Sequence, residues 1–329
     1  MDKCKNMLMK HVLTIDQGTT SSRAIIFDEH QNIISESQRE YELQYPYDGW
    51  VEADPHEILD SVKETVNTAL DISEVEIDAC GITNQRETVV VWDRSSGKPI
   101  YPAIVWQDRR TSDLCNELKE KENLENEIRE KTGLLLDPYF SASKIKWILD
   151  NVENARQMAH DGELCFGTIE TYLIWNLTEE KNHKTDATNA SRTMLMNLET
   201  LEWDESLLRI FDIPKKMLPE ICSCDDNFGT INLCGQKIPI TGVIGDQQSA
   251  LFGQNCFEFG EMKSTYGTGC FLMVNTKEKI YKSKARLLST VGCKLGNITS
   301  YALEGSIFSA GTSIQWLRDE MKFFDDSSQ

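Results

Sequence analysis

Two turns rich in glycine, threonine and serine constrain this 329-residue chain most, because each follows strand-like sequence and the two lie far apart. The first reads DQGTTSSR, from Asp16 to Arg23, and the second reads STYGTGC, from Ser264 to Cys270. Such hairpins can direct several backbone N–H groups and hydroxyls at phosphate oxygens. One hairpin alone is weak support, since turns use these residues routinely. Two hairpins in separate halves of the chain predict a cleft that grips phosphates from two sides.

The first turn is flanked by two charged side chains that suit a phosphate site. Asp16 follows an apolar strand, and a carboxylate at that position can hold Mg²⁺, usually through water. Arg23 can add a positive charge beside the phosphates. The competing interpretation is a plain turn with Gly18 in the left-handed conformation.

A third segment, IGDQQSALFG, places Asp246 after an apolar strand and before a predicted helix. Ligands of open α/β sheets bind at the carboxyl ends of the strands, so this carboxylate would face a ligand. There it can accept a proton from a substrate hydroxyl during phosphoryl transfer. The ordinary alternative is an Asp that caps the helix N-terminus, and both roles can coexist.

A fourth segment, GITNQRETVVVW, contains the adjacent charges Arg86 and Glu87 in an otherwise apolar stretch. By itself this pattern favours a solvent-exposed pair in a hairpin. The alternative is a buried pair that binds a polar ligand. Only the other segments of the chain, taken together, support this alternative.

Composition narrows the class of partner. The 53 acidic residues outnumber the 34 Lys and Arg residues, which gives a formal net charge of −19. This balance argues against nucleic acid and anionic lipid as partners. No run approaches the roughly 20 apolar residues of a membrane span, and no signal peptide is expected. The ten cysteines are scattered, so we expect reduced thiols in a cytoplasmic protein with no membrane insertion.

The predicted element order is mixed and indicates the α/β class. A β meander opens the chain, and a helix with Asp54 as N-cap and Pro55 at its first position should run to about Leu70. One charged helix is predicted over residues 108–131, with a solvated face as its main role. Further strand–turn–helix units follow, including residues 263–276 and 301–303. The predicted domain boundary lies near residues 252–259, giving domains 1–253 and 254–329.

Taken together these segments resemble the FGGY carbohydrate kinases, and within them the members that act on glycerol. The resemblance covers essentially the whole chain. It rests on DQGTTSSR, PYDGWVEADP, GITNQRET, PAIVWQDRRT, TGLLLDPYFSASKIKWILDN, FGTIETYLIW, TDATNASRTMLMN, GDQQSALFGQ, TYGTGCFLMVNT and YALEGSIFSAGTSIQWLRDEM. It implies an actin-like ATPase (ribonuclease H-like) fold, with a complete first domain that binds substrate and phosphate and an incomplete second domain that binds nucleotide. It also implies ATP-dependent phosphorylation of glycerol to sn-glycerol 3-phosphate, with Mg²⁺ as cofactor and a possible homo-oligomer.

The resemblance also assigns site residues. Asp246 would be the base that deprotonates glycerol, with Gln247 beside it. The glycerol hydroxyls would be bound by Arg86, Glu87 and Tyr139, and its carbon edge would be covered by Trp106 and Phe271. Asp16 would lie near Mg²⁺. The remaining assignments are nucleotide contacts, at Thr19, Thr20, Ser21, Arg23, Thr268, Gly311 and Gln315.

The chain is shorter than these kinases, so the resemblance implies a truncated form with little or no ATP-dependent activity of its own. Two alternatives remain open. The first is an inactive relative that still binds glycerol, and the second is a kinase of the same family for another polyol or sugar.

Overall fold

A computed structural model describes residues 10–267 and 269–326. The strands are β1 (His11–Gln17), β2 (Ser21–Asp28), β3 (Ile33–Glu40), β4 (Glu52–Ala53), β5 (Ala79–Asn84), β6 (Val90–Asp93), β7 (Ala103–Ile104), β8 (Leu164–Gly167), β9 (Lys184–Asp186), β10 (Met196–Asn197), β11 (Glu202–Trp203), β12 (Glu220–Cys222), β13 (Gly229–Leu233), β14 (Gln236–Gly245), β15 (Met262–Tyr266), β16 (Cys270–Lys277), β17 (Leu288–Leu295) and β18 (Ile298–Ile307). The α-helices are α1 (Pro55–Ser73), α2 (Ser112–Lys119), α3 (Leu124–Thr132), α4 (Ser141–Asn151), α5 (Ala155–Asp161), α6 (Ile169–Leu177), α7 (Ala187–Ala190), α8 (Glu205–Phe211), α9 (Asp246–Gly253) and α10 (Gly311–Asp319). A 3₁₀ turn covers Lys215–Met217. The predicted α/β class is confirmed.

The central sheet has six strands in the order β13-β14-β5-β1-β2-β3. The opening meander is confirmed, since β1, β2 and β3 pair antiparallel. Strand β5 pairs parallel with both β1 and β14. Alternate residues of β1, Leu13 and Ile15, are fully buried on one face, as the strand period requires.

Helix α1 packs against β2 and β3, and its start follows the predicted signals. The Asp54 side chain accepts a hydrogen bond from the backbone N–H of His56, and Pro55 occupies the first turn. The apolar positions from Ile58 to Leu70 are buried, as the helical period predicts. The helix continues one turn-length past Leu70 and ends at Ser73.

The single helix predicted over residues 108–131 was wrong. The structure has two helices here, α2 and α3, separated by residues 120–123. Asn123 adopts a left-handed conformation with φ 61°, which a continuous helix excludes. Only Cys115, Leu118, Ile128 and Thr132 of the two helices are buried, so the charged composition reflects two solvated faces and gives no signal for the break.

A second sheet follows the first part of the chain, with the antiparallel order β15-β16-β18-β17. The strand–turn–helix units expected over residues 263–276 and 301–303 were wrong, because both segments belong to antiparallel strand pairs of this sheet. The sheet packs on the first part through α9 and α7. In addition, the Ser289 N–H donates to the Gly133 carbonyl at 2.9 Å.

The register of the central sheet determines where the polar segments after β1, β5 and β14 lie. Thr83 on β5 pairs with Asp16 on β1 and with Ile244 on β14. The parallel strands β1, β5 and β14 therefore end at one edge of the sheet, and the segments that follow them meet there. Of the helices in the described ranges, none is long and apolar enough to cross a membrane.

Candidate active site

The first hairpin is held from behind by buried polar side chains. The Gly18 N–H donates to the Ser21 carbonyl at 2.8 Å, which closes the turn. The Gly18 carbonyl accepts hydrogen bonds from Tyr41 Oη at 2.6 Å and from Gln85 Nε2 at 3.0 Å. Gly18 is not among the residues with positive φ, so the left-handed turn considered from the sequence is wrong. The hairpin is a fixed loop with Thr20 exposed at its tip.

Arg86 and Glu87 follow β5 and are buried, with 2% and 1% of their surfaces exposed. The solvent-exposed pair considered from the sequence is therefore wrong. Glu87 has a φ of 62°, which is uncommon for a side chain of its size and turns the backbone sharply. The Ser141 hydroxyl holds this turn by donating to the Glu87 carbonyl at 3.2 Å. The turn directs both charged side chains into the interior.

Two residues that the sequence left without a role, Arg192 and Glu304, complete a buried network. Glu304 lies on β18 and accepts from Arg86 Nη1 at 2.7 Å and Nη2 at 3.2 Å. It also accepts from Arg192 Nη2 at 2.9 Å, and Arg192 Nε donates to Glu87 Oε1 at 2.6 Å. Two carboxylates and two guanidiniums thus balance each other in the interior. The one sequence signal for this network is Glu304, a single charged residue within an otherwise uncharged, strand-like segment.

The charges of this network shift the pKa of both carboxyls. Burial alone would raise the pKa of Glu304, but Arg192 and Arg86 lower it to about 2. Burial raises the pKa of Glu87, against the opposing effect of Arg192 and Arg86. The Arg192 Nη1 atom has no hydrogen-bond partner among the described residues. Its guanidinium lies 5.5 Å from the Tyr139 ring centroid, which is within reach of a cation–π contact.

Asp246 is the first residue of α9 and forms an ion pair with Arg86. Arg86 Nε lies 3.0 Å from Asp246 Oδ1, and 35% of the Asp246 side chain is exposed. The N-cap position belongs to Gly245, so the capping role considered for Asp246 is wrong. A Cβ at Gly245 would lie 2.9 Å from Arg86 Cγ and Cδ. The absence of a side chain there lets the arginine approach the carboxylate.

Gln247 links this carboxylate to a buried lysine. Gln247 Nε2 donates to Asp246 Oδ2 at 3.0 Å. Its other amide atom, Oε1, accepts a hydrogen bond from Lys263 Nζ. Lys263 also donates to Thr265 Oγ1 at 2.9 Å and to the Phe271 carbonyl at 3.3 Å. Burial lowers the pKa of Lys263 to about 8.

Aromatic rings form the opposite wall. Trp106 makes edge contacts with Tyr139 and Phe271, at ring-centroid distances of 5.8 and 6.0 Å. Trp106 Nε1 donates to Thr19 Oγ1 at 2.9 Å, which ties this wall to the first hairpin. Lys144 is buried below Tyr139 and donates to the carbonyls of Tyr139 and Phe140. The ring positions are therefore fixed by polar contacts as well as packing.

These groups enclose a cavity of about 150 Å³. It is smaller than the roughly 300–1,000 Å³ of sites that bind drug-sized ligands, so it fits a compact polar molecule. The lining residues are Thr19, Arg86, Glu87, Trp106, Tyr139, Asp246, Gln247, Thr265, Gly267, Gly269 and Phe271. All seven residues expected to contact substrate are in this set. Thr265, Gly267 and Gly269 come from the second hairpin.

The residues expected to contact nucleotide are more scattered. Thr20, Ser21 and Arg23 lie on the first hairpin outside the cavity lining, and Arg23 donates to Gln38 Oε1 at 2.6 Å. Gly311 begins α10 and donates to the Gly267 carbonyl at 2.9 Å, beside the second hairpin. Gln315 is exposed on the same helix. Thr268 lies outside the described residues.

Asp16 lies at the end of β1 and reaches solvent, although the surrounding protein raises its pKa through partial desolvation. The negative charge of Asp246 raises this pKa further, and Arg23 opposes the effect. Among the described residues no cluster of three or more His, Cys, Asp or Glu side chains could hold a metal ion. Asp16 and Asp246 nevertheless lie near enough to interact, and an exposed carboxylate such as Asp16 suits a hydrated cation held by a single protein ligand.

Comparison with known proteins defines the class. The N-terminal domain of the FGGY family of carbohydrate kinases matches residues 11–253. The chain therefore belongs to the FGGY family of carbohydrate kinases, which have an actin-like ATPase fold.

Within that family the similarity is to glycerol kinases. The chain is 57% identical to the glycerol kinase of Fusobacterium nucleatum subsp. nucleatum and 56% identical to that of Alteromonas mediterranea, with 97% of this chain covered in each case. It spans about 65% of the length of these relatives. A crystal structure of Plasmodium falciparum glycerol kinase with ADP aligns with a TM-score of 0.91 and 44% identity, over 97% of this chain and 65% of that one. Xylulose kinase from Lactobacillus acidophilus, at 22% identity and a TM-score of 0.83 over 95% of this chain and 63% of that one, shares the fold.

Proposed function

We propose that this protein phosphorylates glycerol with ATP and forms sn-glycerol 3-phosphate. The observation that carries the proposal is the small cavity in which Arg86, Glu87 and Asp246 meet two aromatic rings. The high identity to proteins named glycerol kinase supports it. The chain spans only about 65% of the length of those relatives, so the proposed activity depends on the residues of the cavity.

The cavity suits the chemistry of glycerol, which offers three hydroxyls and little apolar surface. We assign the recognition of these hydroxyls to Arg86, Glu87 and Tyr139, whose donors and acceptors are held in place by the buried network. Sites built on hydrogen bonds of this kind strongly reject analogues that lack a hydroxyl. Trp106 and Phe271 would cover the carbon edge and exclude water, which otherwise competes as phosphoryl acceptor.

Asp246 is the proposed general base. Its ion pair with Arg86 and its hydrogen bond from Gln247 leave part of the carboxylate open to the cavity. A glycerol hydroxyl bound by Arg86 would lie beside this carboxylate, which can accept its proton as the oxygen attacks the terminal phosphorus of ATP. The proton ends on Asp246, and ADP leaves.

For the nucleotide we propose contacts from both hairpins, through Thr19, Thr20, Ser21, Arg23 and Thr268, and from α10 through Gly311 and Gln315. Asp16 is the residue that would hold Mg²⁺, since its carboxylate adjoins that of Asp246 and needs a compensating cation. When bound, the ion would neutralise phosphate charge during transfer. The proposed base and the proposed substrate contacts all lie within this chain.

We infer a domain boundary after residue 253. Residues 1–253 would form the glycerol- and phosphate-binding domain, and residues 254–329 a part of the nucleotide domain. The cytoplasm is the proposed location, because the proposed donor ATP is made and used there. A homo-oligomer is consistent with the proposal. Since α10 carries the predicted nucleotide contacts on an exposed surface, we expect this chain alone to bind glycerol and to turn over slowly.

The test is formation of radiolabelled glycerol 3-phosphate from glycerol and ATP labelled at the terminal phosphate, over long incubations with Mg²⁺. Asp246→Asn should lower the rate by about 10²–10⁴-fold while glycerol still binds. Asp48→Asn, which changes an exposed carboxylate, should leave the rate unchanged. Glycerol binding with no product would support an inactive relative, and faster labelling of a pentulose than of glycerol would refute the substrate assignment.

A further inference from the structure

A second cavity, of about 380 Å³, lies between β14, α9 and β17. Its walls are mostly apolar, and they include Ile15, Val243 and Phe252. Two thiols, Cys224 and Cys293, also line it. The proposed glycerol and nucleotide contacts use neither thiol.

Backbone hydrogen bonds fix the two cysteines next to each other. The Cys224 N–H donates to the carbonyl of Lys294, the neighbour of Cys293, at 2.8 Å. The Cys224 carbonyl accepts from the Val243 N–H at 2.9 Å. Cys224 is thus held between β14 and β17, beside the residue that follows Cys293, and both cysteines line the same cavity. Because the Cys224 backbone is hydrogen-bonded to the residue after Cys293, the two backbones lie near each other, which is one requirement for a disulfide.

The two thiols differ in environment. Cys293 is partly exposed on the cavity wall, whereas Cys224 is 5% exposed. The Cys224 thiol also donates to Asp186 Oδ2 at 3.4 Å. The contact with Cys293 and burial raise the pKa of Cys224 well above its usual value, so Cys224 stays protonated. Burial raises the pKa of Asp186, which makes this carboxylate a better proton acceptor.

We propose that Cys224 and Cys293 form a redox-sensitive pair that a small hydroperoxide converts to a disulfide. Cys293 sulfur attacks the peroxide, and an S–O bond forms as the O–O bond breaks. The leaving oxygen takes up the proton of the Cys293 thiol, and it departs as water when the peroxide is hydrogen peroxide. Cys224 then passes its proton to Asp186, and its sulfur attacks Cys293 sulfur as the S–O bond breaks. The leaving hydroxide takes the proton back from Asp186 and departs as a second water. The two thiols lose two electrons in total, and the peroxide gains them. A dithiol reductant reverses the reaction.

The cross-link would join the two parts of the chain. Cys224 follows β12 in the first part, and Cys293 lies on β17 in the second sheet. Strand β14, to which Cys224 is hydrogen-bonded, ends at the residue before Asp246. A disulfide here would fasten the second sheet to the strand that presents the proposed base. It would make the relative position of the two parts depend on oxidation.

The experiment uses the native 329-residue chain. The protein is treated with one to ten equivalents of hydrogen peroxide, free thiols are blocked with N-ethylmaleimide, and a non-reducing digest is analysed by mass spectrometry. The expected result is one dominant cross-linked peptide pair joining Cys224 to Cys293, lost on treatment with dithiothreitol. The thiol titre in denaturant should fall from ten to eight. Oxidation confined to other cysteines, with Cys224 and Cys293 both still alkylated, would overturn the proposal.

Variants separate the two steps. Cys224→Ser should leave Cys293 as a sulfenic acid that dimedone captures, and Cys293→Ser should leave Cys224 reduced. Cys234→Ser is the matched control, because Cys234 is exposed on the turn between β13 and β14; it should leave the cross-link unchanged. Equal dimedone labelling of Cys234 and Cys293 would contradict the selective role of the cavity. None of these readouts depends on kinase activity, so the test stands apart from the proposed function.

Discussion

Replacement of Glu304 by glutamine tests the buried charge network directly. Glu304 is 1% exposed and accepts hydrogen bonds from Arg86, Arg192 and Ser306. The Glu304→Gln variant keeps the size of the side chain but removes its negative charge. Two guanidiniums would then share Glu87 as their remaining buried carboxylate.

The expected cost follows from the pKa of Glu304. The arginines lower this pKa from 4.5 to about 2 against the effect of burial. Since a tenfold change in proton affinity corresponds to about 1.4 kcal/mol, the charged form stabilises the fold by about 3 kcal/mol. Loss of one partner from a buried ion pair costs roughly 3–5 kcal/mol, which agrees in order of magnitude.

The assay is urea unfolding followed by tryptophan fluorescence and circular dichroism. At pH 7 Glu304→Gln should lower the free energy of unfolding by about 3 kcal/mol. Because the folded pKa is depressed, this stabilisation is present above pH 4.5 and is lost as the pH falls towards 2. The difference between the wild type and the variant should therefore shrink over that interval. Glu278→Gln, at an exposed position after β16, should change stability by no more than about 0.5 kcal/mol.

A loss below about 1 kcal/mol at pH 7 would refute the reasoning, because it is the size expected of a surface pair. So would a loss that stays constant down to pH 2. Either result would mean that water or rearrangement compensates the arginines.

Three further predictions concern other parts of the molecule. Burial lowers the pKa of His183 from 6.5 to about 4, so the free energy of unfolding should fall by about 1.5 kcal/mol as the pH falls from 6.5 to 5, because the unfolded chain gains a proton. Urea unfolding of His183→Phe should not show this dependence. Arg110 makes a bidentate contact with Asp108, and its guanidinium lies 3.8 Å from the Trp50 ring centroid. Arg110→Lys keeps the charge but should lower the free energy of unfolding by about 1–3 kcal/mol in thermal or urea unfolding. An unchanged unfolding midpoint would contradict this prediction. Gly245→Ala should push on Arg86 and weaken glycerol binding about tenfold by calorimetry, while an unaltered affinity would show that Arg86 can move freely.

The local sequence pattern was sufficient to predict the elements that depend on residues close together in the chain. The capping Asp54, the apolar stripe of α1 and the opening meander follow from short-range periodicity. The position of Asp246 at a strand end also followed, because a Gly-Asp pair after an apolar strand marks a sheet edge. The break between α2 and α3 did not follow, since it depends on one left-handed residue, Asn123, within a highly charged run.

The charge network could not be predicted because its members are distant in sequence. Glu304 is 218 residues from Arg86 and 112 from Arg192. A single charged residue reads as exposed until its partner is known. The resemblance to the FGGY kinases indicated which residues line the cavity. The residues that hold them in place became visible only in the structure, where the second sheet packs against the first part of the chain.

The most direct test of the central claim is calorimetric titration of the native chain with glycerol, propane-1,2-diol and a pentulose. We predict that glycerol binds, and that propane-1,2-diol binds at least about tenfold more weakly because one buried partner is left unpaired. Arg86→Met should abolish glycerol binding, and Asp48→Asn should not affect it. Equal affinity for the diol and glycerol, tighter binding of the pentulose, or no glycerol binding by the folded chain would contradict the account.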